Sequence, residues 1–332
     1  MASELDFFIG LCASAAFKYA YLILGYRKLP SAAKHVGKVT EIWYHPVKSC
    51  QGISLEKAAC NEEGLRPVHG KVGDRTLMVV KEDGRYVTMR QQPKMAFITT
   101  SVHNTTVRLE APGMPSIRVS LEPAVRKVIQ SCRLSQESLE GLDLGEEVSE
   151  WLTSYLGEPL KLVYLAEGLK RRQLTPQKAH ILHRAKGYEE VASARFRNAA
   201  FVDFANYHIL TEVSLNDLNS RMKTKMTTKN FRPGIVISGS VPYEEDLWDQ
   251  IYIGEVKFRN YVECPRCLLT TVDQEKGEKR ANNEPLATLK TYRNLPLTKG
   301  AGPSMGRYIF ADFEGTISVG DDVYAVIPNN KS

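Results

Sequence analysis

The sequence has few cysteines for its length, and it lacks internal repeats and low-complexity tracts. Its 332 residues include six cysteines, namely Cys12, Cys50, Cys60, Cys132, Cys264 and Cys267. Cysteines this sparse do not make a disulfide framework, so a reducing compartment is expected. The basic residues, which give a net charge of +6, form no long stripe interleaved with aromatic residues, and this argues against nucleic-acid binding. The mild positive charge suits an anionic membrane, an acidic protein or a phosphorylated cofactor.

A mostly apolar run from Phe7 to Tyr26 covers 20 positions. As a helix it is long enough to cross the roughly 30 Å core of a bilayer. Lys18 interrupts the run, at a cost of about 2.5–3.5 kcal/mol at the membrane centre. A secretory signal or a matrix transit peptide would carry basic residues before or within the run, but the charges before it are acidic. We therefore expect residues 1–34 to be an uncleaved anchor and linker, with a buried amphipathic helix as the alternative.

Beyond the anchor the chain is rich in short β-branched and aromatic runs separated by turn residues, which predicts strands arranged as barrels or sandwiches. The predicted strands are Val39–Val47, Asp74–Lys81, Arg85–Met89, Ala96–Val102, Thr105–Glu110, Ser116–Leu121, Leu160–Leu165, Tyr207–Leu210, Phe231–Ser238 and Ile251–Phe258, with a β-hairpin over Tyr308–Ile327. Amphipathic helices are predicted over Glu146–Tyr155, ended by Gly157, and from a cap at Thr211 or Ser214 to about Met222.

The predicted body divides into two β-rich parts, residues 35–167 and 199–332. Between them, residues 168–198 form a polar and basic excursion. That excursion is interpreted either as a solvated loop or as a patch that docks a partner.

The strongest chemical cluster is the Cys-Pro-Arg-Cys sequence at Cys264–Cys267. Such a pair can be half of a zinc site, a redox pair, or one metal ligand beside a structural thiol. A second pair for zinc is missing, and His180 and His183 are weak candidates to replace it. A thioredoxin-type pair would open a helix, but the run Leu268–Val272 looks like a strand. The favoured interpretation is a single thiolate ligand, with Arg266 favouring the thiolate and offering donors to an anion.

Four other clusters place basic groups beside predicted strands. They are Tyr44–Gly52, Asp74-Arg75, Thr88–Pro93 and Asn230–Pro233. In the first, Lys48, Ser49 and the turn amides form a plausible phosphate cradle. Buried arginines need acceptors, and several of them beside strands, together with Lys48 and Arg266, indicate one large polyanionic ligand.

Together and in this order, these motifs resemble the MOSC family, including its membrane-anchored amidoxime-reducing members. The similarity runs from about Gly37 to Val326, and its most specific part is Cys264–Asp273. It implies an α+β, β-rich fold. This fold has an N-terminal MOSC-type β-barrel subdomain and a C-terminal MOSC β-barrel domain with flanking helices, preceded here by one transmembrane anchor helix.

The resemblance also implies a molybdenum pyranopterin cofactor, with Cys267 as the metal ligand and Cys264 as a neighbour that does not bind the metal. The residues expected to contact the cofactor are Lys48, Ser49, Arg75, Thr88, Arg90, Asn230, Arg232, Arg266 and Tyr308. Asp203 matches an acidic position near the metal and is expected to act in both cofactor binding and catalysis. Its surroundings, Phe201–Ala205, are less polar than in the family.

By the same resemblance, the expected reaction is reduction of N-hydroxylated compounds such as amidoximes and hydroxylamines. Electrons would come from NADH through cytochrome b5 reductase and cytochrome b5, and an acidic donor suits this basic body. The location that the resemblance implies is the mitochondrial outer membrane. The basic residues that follow the apolar run place the body on the cytosolic side by the positive-inside rule; they are Arg27, Lys28, Lys34 and Lys38. Two alternatives stay open: a MOSC sulfur carrier in which Cys267 bears a persulfide, and a membrane protein that binds partners without catalysis.

Overall fold

The structure, a computed structural model, describes residues 29–122, 129–134, 137–170, 175, 193–194, 196–197, 199–296 and 300–328. The predicted membrane anchor and most of the basic excursion lie outside these residues. Within the described part of the chain, no helix has the length and apolar character needed to cross a bilayer.

Short strands dominate the first half of the described chain. They are β1 (Ala33–Tyr44), β2 (Ile53–Ser54), β3 (Lys57–Asn61), β4 (Gly64–Pro67), β5 (Leu77–Val80), β6 (Thr99–His103), β7 (Thr106–Glu110), β8 (Ile117–Ser120), β9 (Ile129–Leu134), β10 (Glu137–Asp143) and β11 (Lys161–Tyr164). A 3-10 helix covers Pro93–Phe97, and helix α1 covers Glu146–Leu156. Helix α1 ends as predicted, because Gly157 is left-handed (φ 79°) and its N–H donates to the Thr153 carbonyl.

The second half of the described chain has longer strands and short helices. Its strands are β12 (Tyr207–Thr211), β13 (Ile235–Ile237), β14 (Gln250–Ile253), β15 (Val256–Pro265), β16 (Val272–Asp273), β17 (Glu278–Lys279), β18 (Ser304–Ala311), β19 (Gly315–Ser318) and β20 (Asp322–Val326). The helices are α2 (Glu212–Ser220), α3 (Thr228–Phe231) and α4 (Leu286–Leu289), with 3-10 turns over Glu244–Asp246 and Leu268–Thr271. Thr211 caps α2 as predicted, accepting from the Ser214 N–H.

Seven of the described strands close into a barrel. Their order is β13-β12-β18-β15-β14-β20-β1, and β1 returns to pair with β13. The closing pairs are antiparallel and join Ile42 to Ile235 and Glu41 to Val236. The apolar faces of these strands, with Ile42 and Phe258 fully buried, form one core. Closure removes the free sheet edges that would otherwise invite aggregation.

A second core lies beside the barrel. Here strands β5 and β11 of the sheet β5-β11-β10-β9, together with the sheet β6-β7-β8, pack with the apolar face of α1, which contributes Trp151 and Leu152. Val47 and Val272 belong to the same core. The segments that carry Lys48 and Cys267 therefore connect this core to the barrel.

Three strand predictions were wrong, two of them where a glycine or a left-handed residue interrupts an apolar run. Arg85–Met89 makes isolated bridges at Arg85 and Tyr86 and forms no strand. Phe231 ends α3, and β13 begins only after Arg232, which is left-handed. Ile251–Phe258 is divided between β14 and β15 by a turn at Gly254 (φ 53°).

Two further predictions failed because hydrogen bonding differs from the pattern expected. Leu268–Val272 is mainly a 3-10 turn, since the Thr270 and Thr271 hydroxyls donate to the carbonyls of Cys267 and Leu268. The tail does form strands, but β18 pairs with β12 and β15, whereas β20 pairs with β14 and β1. The expected tail hairpin is therefore absent from these described strands.

The two halves predicted from the sequence share sheets. Strand β1 precedes residue 45 but completes the barrel of strands that follow residue 206, and β3 pairs with β19. The division into residues 35–167 and 199–332 stays a prediction.

Candidate active site

Cys267 lies where strand β15 ends. The ladder between β15 and β18 stops at Pro265 opposite Ser304, and Cys267 then caps the 3-10 turn with an extended backbone. Its side chain is exposed, whereas Cys264 is buried. Burial also raises the pKa of the thiols of Cys50 and Cys60. Among the described cysteines, Cys267 is the one whose sulfur is open to a ligand.

Cys267 stands at the rim of a basic cleft between the barrel and the second core. The cleft is open to solvent, and its cavity volume is about 90 Å³. Its cationic lining residues are Lys48, Arg75, Arg232 and Arg266, and its carboxylate is Asp203. Ser49, His208 and Tyr308 line it as well. The excess of positive charge fits an anionic ligand.

Three residues of this cleft have left-handed backbones although they carry side chains. Ser49 has φ 67°, Arg75 has φ 54° and Arg232 has φ 53°. Arg232 also precedes Pro233, a position that normally favours extended backbone. Each such residue costs about 1–3 kcal/mol, and strain of this kind concentrates at functional sites. The fold thus holds these three side chains toward one cleft at a cost in stability.

Arg232 and Arg266 are buried, and both keep donors that no described group accepts. Arg232 donates from Nη1 to the Cys50 carbonyl at 2.7 Å, while its Nη2 has no partner among the described residues. Burial, together with the charge of Arg75, lowers the pKa of Arg232 to about 9. Arg266 donates to the Cys264 sulfur at 2.7 Å, and its Nε lacks a partner within the same described part.

Lys48 and Asp203 connect the basic cleft to its rim. The Lys48 ammonium donates to the Asp203 carboxylate at 2.7 Å; Lys48 is buried, but 68% of the Asp203 side chain is exposed. Lys48 also lies 5.9 Å from the centre of the Tyr86 ring, and Arg90 donates to the Tyr86 hydroxyl at 2.6 Å. A buried cation therefore holds an exposed carboxylate beside Cys267.

The structure brings most of the predicted site residues together. Those lining the basic cleft are Lys48, Ser49, Arg75, Asp203, Arg232, Arg266, Cys267 and Tyr308. Thr88 and Arg90 instead line an adjoining cleft that Cys267 shares. Asn230 lines neither of these clefts: its side chain caps α3 and donates to the Val272 carbonyl at 3.3 Å, so it shapes the Arg232 turn.

The sequence did not single out His208 or Tyr86. His208 is buried in the cleft 3.5 Å from Arg266, and burial together with the Arg266 charge lowers its pKa well below the ordinary value, so it is neutral. The sequence feature that could have identified His208 is a polar residue inside the apolar run of strand β12. Tyr86 was assigned to the predicted strand Arg85–Met89, which does not form. Its contacts with Lys48 and Arg90 were therefore not expected.

The chemistry expected of the Cys264–Cys267 pair needs one correction. Cys264 lies at the end of strand β15 and Cys267 caps a 3-10 turn, whereas the sequence predicted a strand after the pair. The expected strand therefore no longer argues against a redox pair. Cys264, however, is buried against Arg266. No group of three or more His, Cys, Asp or Glu side chains suited to a metal occurs in the described part of the chain, and His180 and His183 lie outside it.

Comparison with known families defines the class of protein. The model of the MOSC N-terminal beta barrel domain matches residues 36–159, and that of the MOSC domain matches residues 197–324. The chain is 38% identical to mitochondrial amidoxime reducing component 2 of Rattus norvegicus over 89% of its own length and 85% of that protein. It is 36% identical to mitochondrial amidoxime-reducing component 1 of Homo sapiens over 88% of its own length and 83% of that protein. The chain therefore belongs to the mitochondrial amidoxime-reducing components, within the MOSC-domain proteins.

Proposed function

We propose that the protein is a molybdenum-dependent reductase of N-hydroxylated compounds, including amidoximes and hydroxylamines, and that Cys267 is the metal ligand. The observation that carries this proposal is the exposed Cys267 thiol at the rim of a cleft with four cationic side chains and one carboxylate. Soft thiolate ligands suit such a metal centre. The names of the curated relatives, which are amidoxime-reducing components, support amidoximes as substrates.

The residues present fit a phosphorylated pyranopterin. The unpartnered Arg232 Nη2 and Arg266 Nε are buried donors that an anionic ligand can satisfy. Lys48, Ser49 and Arg75 would hold the phosphate and pterin from the turns that follow β1 and precede β5, and His208 and Tyr308 would do so from the barrel strands β12 and β18. When bound, the cofactor supplies the two-electron chemistry, while the protein orients it and tunes its charge.

The chain's own residues would then manage binding and protons. Reduction of an N-hydroxylated substrate breaks the N–O bond, consumes two electrons and two protons, and releases water. Asp203 lines the same cleft as Cys267, and its exposed carboxylate pairs with Lys48, so it would carry a proton to the leaving oxygen. Thr88 and Arg90, on the adjoining cleft, would contact the cofactor or substrate at the rim.

The electron donors we propose are cytochrome b5 and NADH-cytochrome b5 reductase, at the mitochondrial outer membrane with an N-terminal anchor. The names of the relatives include "mitochondrial". The net charge of +6 supports docking of an acidic donor, because complementary charge speeds encounter.

The alternative of a sulfur carrier uses the same thiol, since an exposed Cys267 can bear a persulfide. Molybdenum content separates the two. The protein should be purified, as wild type and as Cys267→Ser, from a host that makes the cofactor. We expect near-stoichiometric molybdenum and amidoxime reduction for the wild type, and loss of both in the variant.

The matched control is Cys60→Ala, because Cys60 is a buried thiol of strand β3 in the barrel core. It should retain metal and activity. A wild-type protein without molybdenum, or a Cys267→Ser protein that keeps both metal and activity, would refute the proposal.

A further inference from the structure

A second cleft adjoins the basic one, and Cys267 stands between them. Both clefts are lined by Lys48, Asp203, Pro265, Cys267, Leu269 and Tyr308. Beyond this shared rim the second cleft extends toward Tyr86, Leu134, Phe204 and Val262. A group bound in the second cleft therefore meets Cys267 from a side that the cations Arg75, Arg232 and Arg266 do not line.

The chemistry of the second cleft differs from that of the first. Apolar and aromatic side chains make most of its wall, and Leu134 and Val262 are buried. Its charged lining residues balance: Lys48 and Arg90 are cationic, whereas Asp203 and Glu263 are acidic. Sites with an apolar wall and a few polar groups bind apolar ligand bodies and orient them by their polar ends. The second cleft thus suits an uncharged body with one polar end.

Phe204 gives this cleft an aromatic wall that is fixed in place. Its ring stacks on Tyr261 with centroids 6.0 Å apart, and it lies 5.6 Å from Tyr308 and 5.9 Å from Phe196. Tyr261 in turn contacts Phe310 edge-on at 5.0 Å. A ring held by several others loses little freedom when a ligand ring packs against it, and aromatic pairs favour such packing.

Building on the proposed reductase function, we propose that the second cleft binds the body of the substrate and that Phe204 determines specificity. The favoured substrates are N-hydroxylated compounds whose N–O group is attached to a flat, uncharged aromatic ring. The ring packs on Phe204, and the N–O group lies at the shared rim beside Cys267 and Asp203.

The test compares binding of a phenyl-substituted and a methyl-substituted amidoxime to the cofactor-loaded protein by calorimetry, without an electron donor. The variants are Phe204→Leu and, as a second wall change, Leu134→Ala. We expect Phe204→Leu to weaken binding of the phenyl compound by about fivefold, the value of an aromatic pair, and to leave binding of the methyl compound unchanged. Leu134→Ala should also lower the preference for the phenyl compound. Phe204→Tyr, which keeps a ring at position 204, should retain the wild-type preference.

Phe313→Leu is the matched control, because Phe313 is an exposed ring that lines neither cleft. It should keep the wild-type preference. The inference is overturned if Phe204→Leu affects both compounds equally or neither, or if Phe313→Leu shifts the preference as much. Selective binding that depends on Phe204, in a protein that reduces neither compound, would sustain this site and count against the proposed function alone.

Discussion

At the scale of single residues, burial of the Arg232 guanidinium lowers the stability of the folded protein in favour of ligand binding. Its guanidinium is buried with an unpartnered nitrogen, and burial lowers its pKa to about 9. Since the pKa in the unfolded chain is higher, the unfolded state holds the proton more tightly, and the charge destabilises the folded protein fully below about pH 9. We expect cofactor-free Arg232→Met to be at least as stable as wild type. Its free energy of unfolding, measured in urea at pH 7, should be higher by up to about 4 kcal/mol.

The same variant should lose anion binding. Inorganic phosphate should raise the Tm of cofactor-free wild type, because a ligand that binds only the folded state stabilises it, and it should leave the Tm of Arg232→Met unchanged. Arg221→Met is the control, since Arg221 pairs with Asp217 at the surface and lines neither cleft. Strong destabilisation of Arg232→Met, or an equal response of both variants to phosphate, would contradict this account.

At the scale of elements, the sequence predicted structure well where local patterns are strong. Helix α1 and strand β7 follow from the apolar period and from capping or turn residues. It failed where hydrogen bonds over one turn compete with an apolar run, as at Leu268–Thr271. The resemblance located Cys267, Lys48 and Arg232, but their convergence depends on sheet pairing between distant segments. Propensity carries no information about such pairing, so the second cleft and His208 were not predicted.

One element-level contact predicts a pH dependence. Glu245 in the 3-10 turn Glu244–Asp246 accepts from the hydroxyls of Thr211 and Ser214, at 3.0 and 2.9 Å, at the start of α2. Burial raises its pKa from 4.5 to about 7, Ser214 opposes the shift and Asp246 adds to it. The folded state therefore binds the proton more tightly, and this contribution to stability is full below about pH 4.5 and is lost as pH rises through about 7.

The variant Glu245→Gln keeps an acceptor but cannot titrate. Relative to it, the free energy of unfolding of wild type should fall by about 3 kcal/mol between pH 4.5 and pH 8. Urea unfolding at a series of pH values measures this. Glu244→Gln, a neighbouring surface carboxylate hydrogen-bonded to Ser240, should track wild type. Parallel curves for wild type and Glu245→Gln would show that Glu245 stays ionised in the folded protein.

At the scale of the whole molecule, the site depends on segments far apart in the chain. Lys48 follows β1, Arg232 follows α3, and Cys267 follows β15. Strand β1 pairs with β13 on one side and β20 on the other, so the N-terminal strand completes the barrel that carries the C-terminal motifs. The two halves should accordingly fold as one cooperative unit.

A fragment of residues 199–328 should therefore fail to fold alone. Without β1, the edges of β13 and β20 would be free and the barrel core would open where Val39 and Ile42 now pack. Circular dichroism and urea unfolding of this fragment should show no cooperative transition, whereas residues 29–332 should unfold in one transition. Adding a separate peptide of residues 29–52 should restore part of the native signal. If the fragment unfolds cooperatively by itself, the division at residue 199 is a true domain boundary and β1 only docks on a barrel that is already formed.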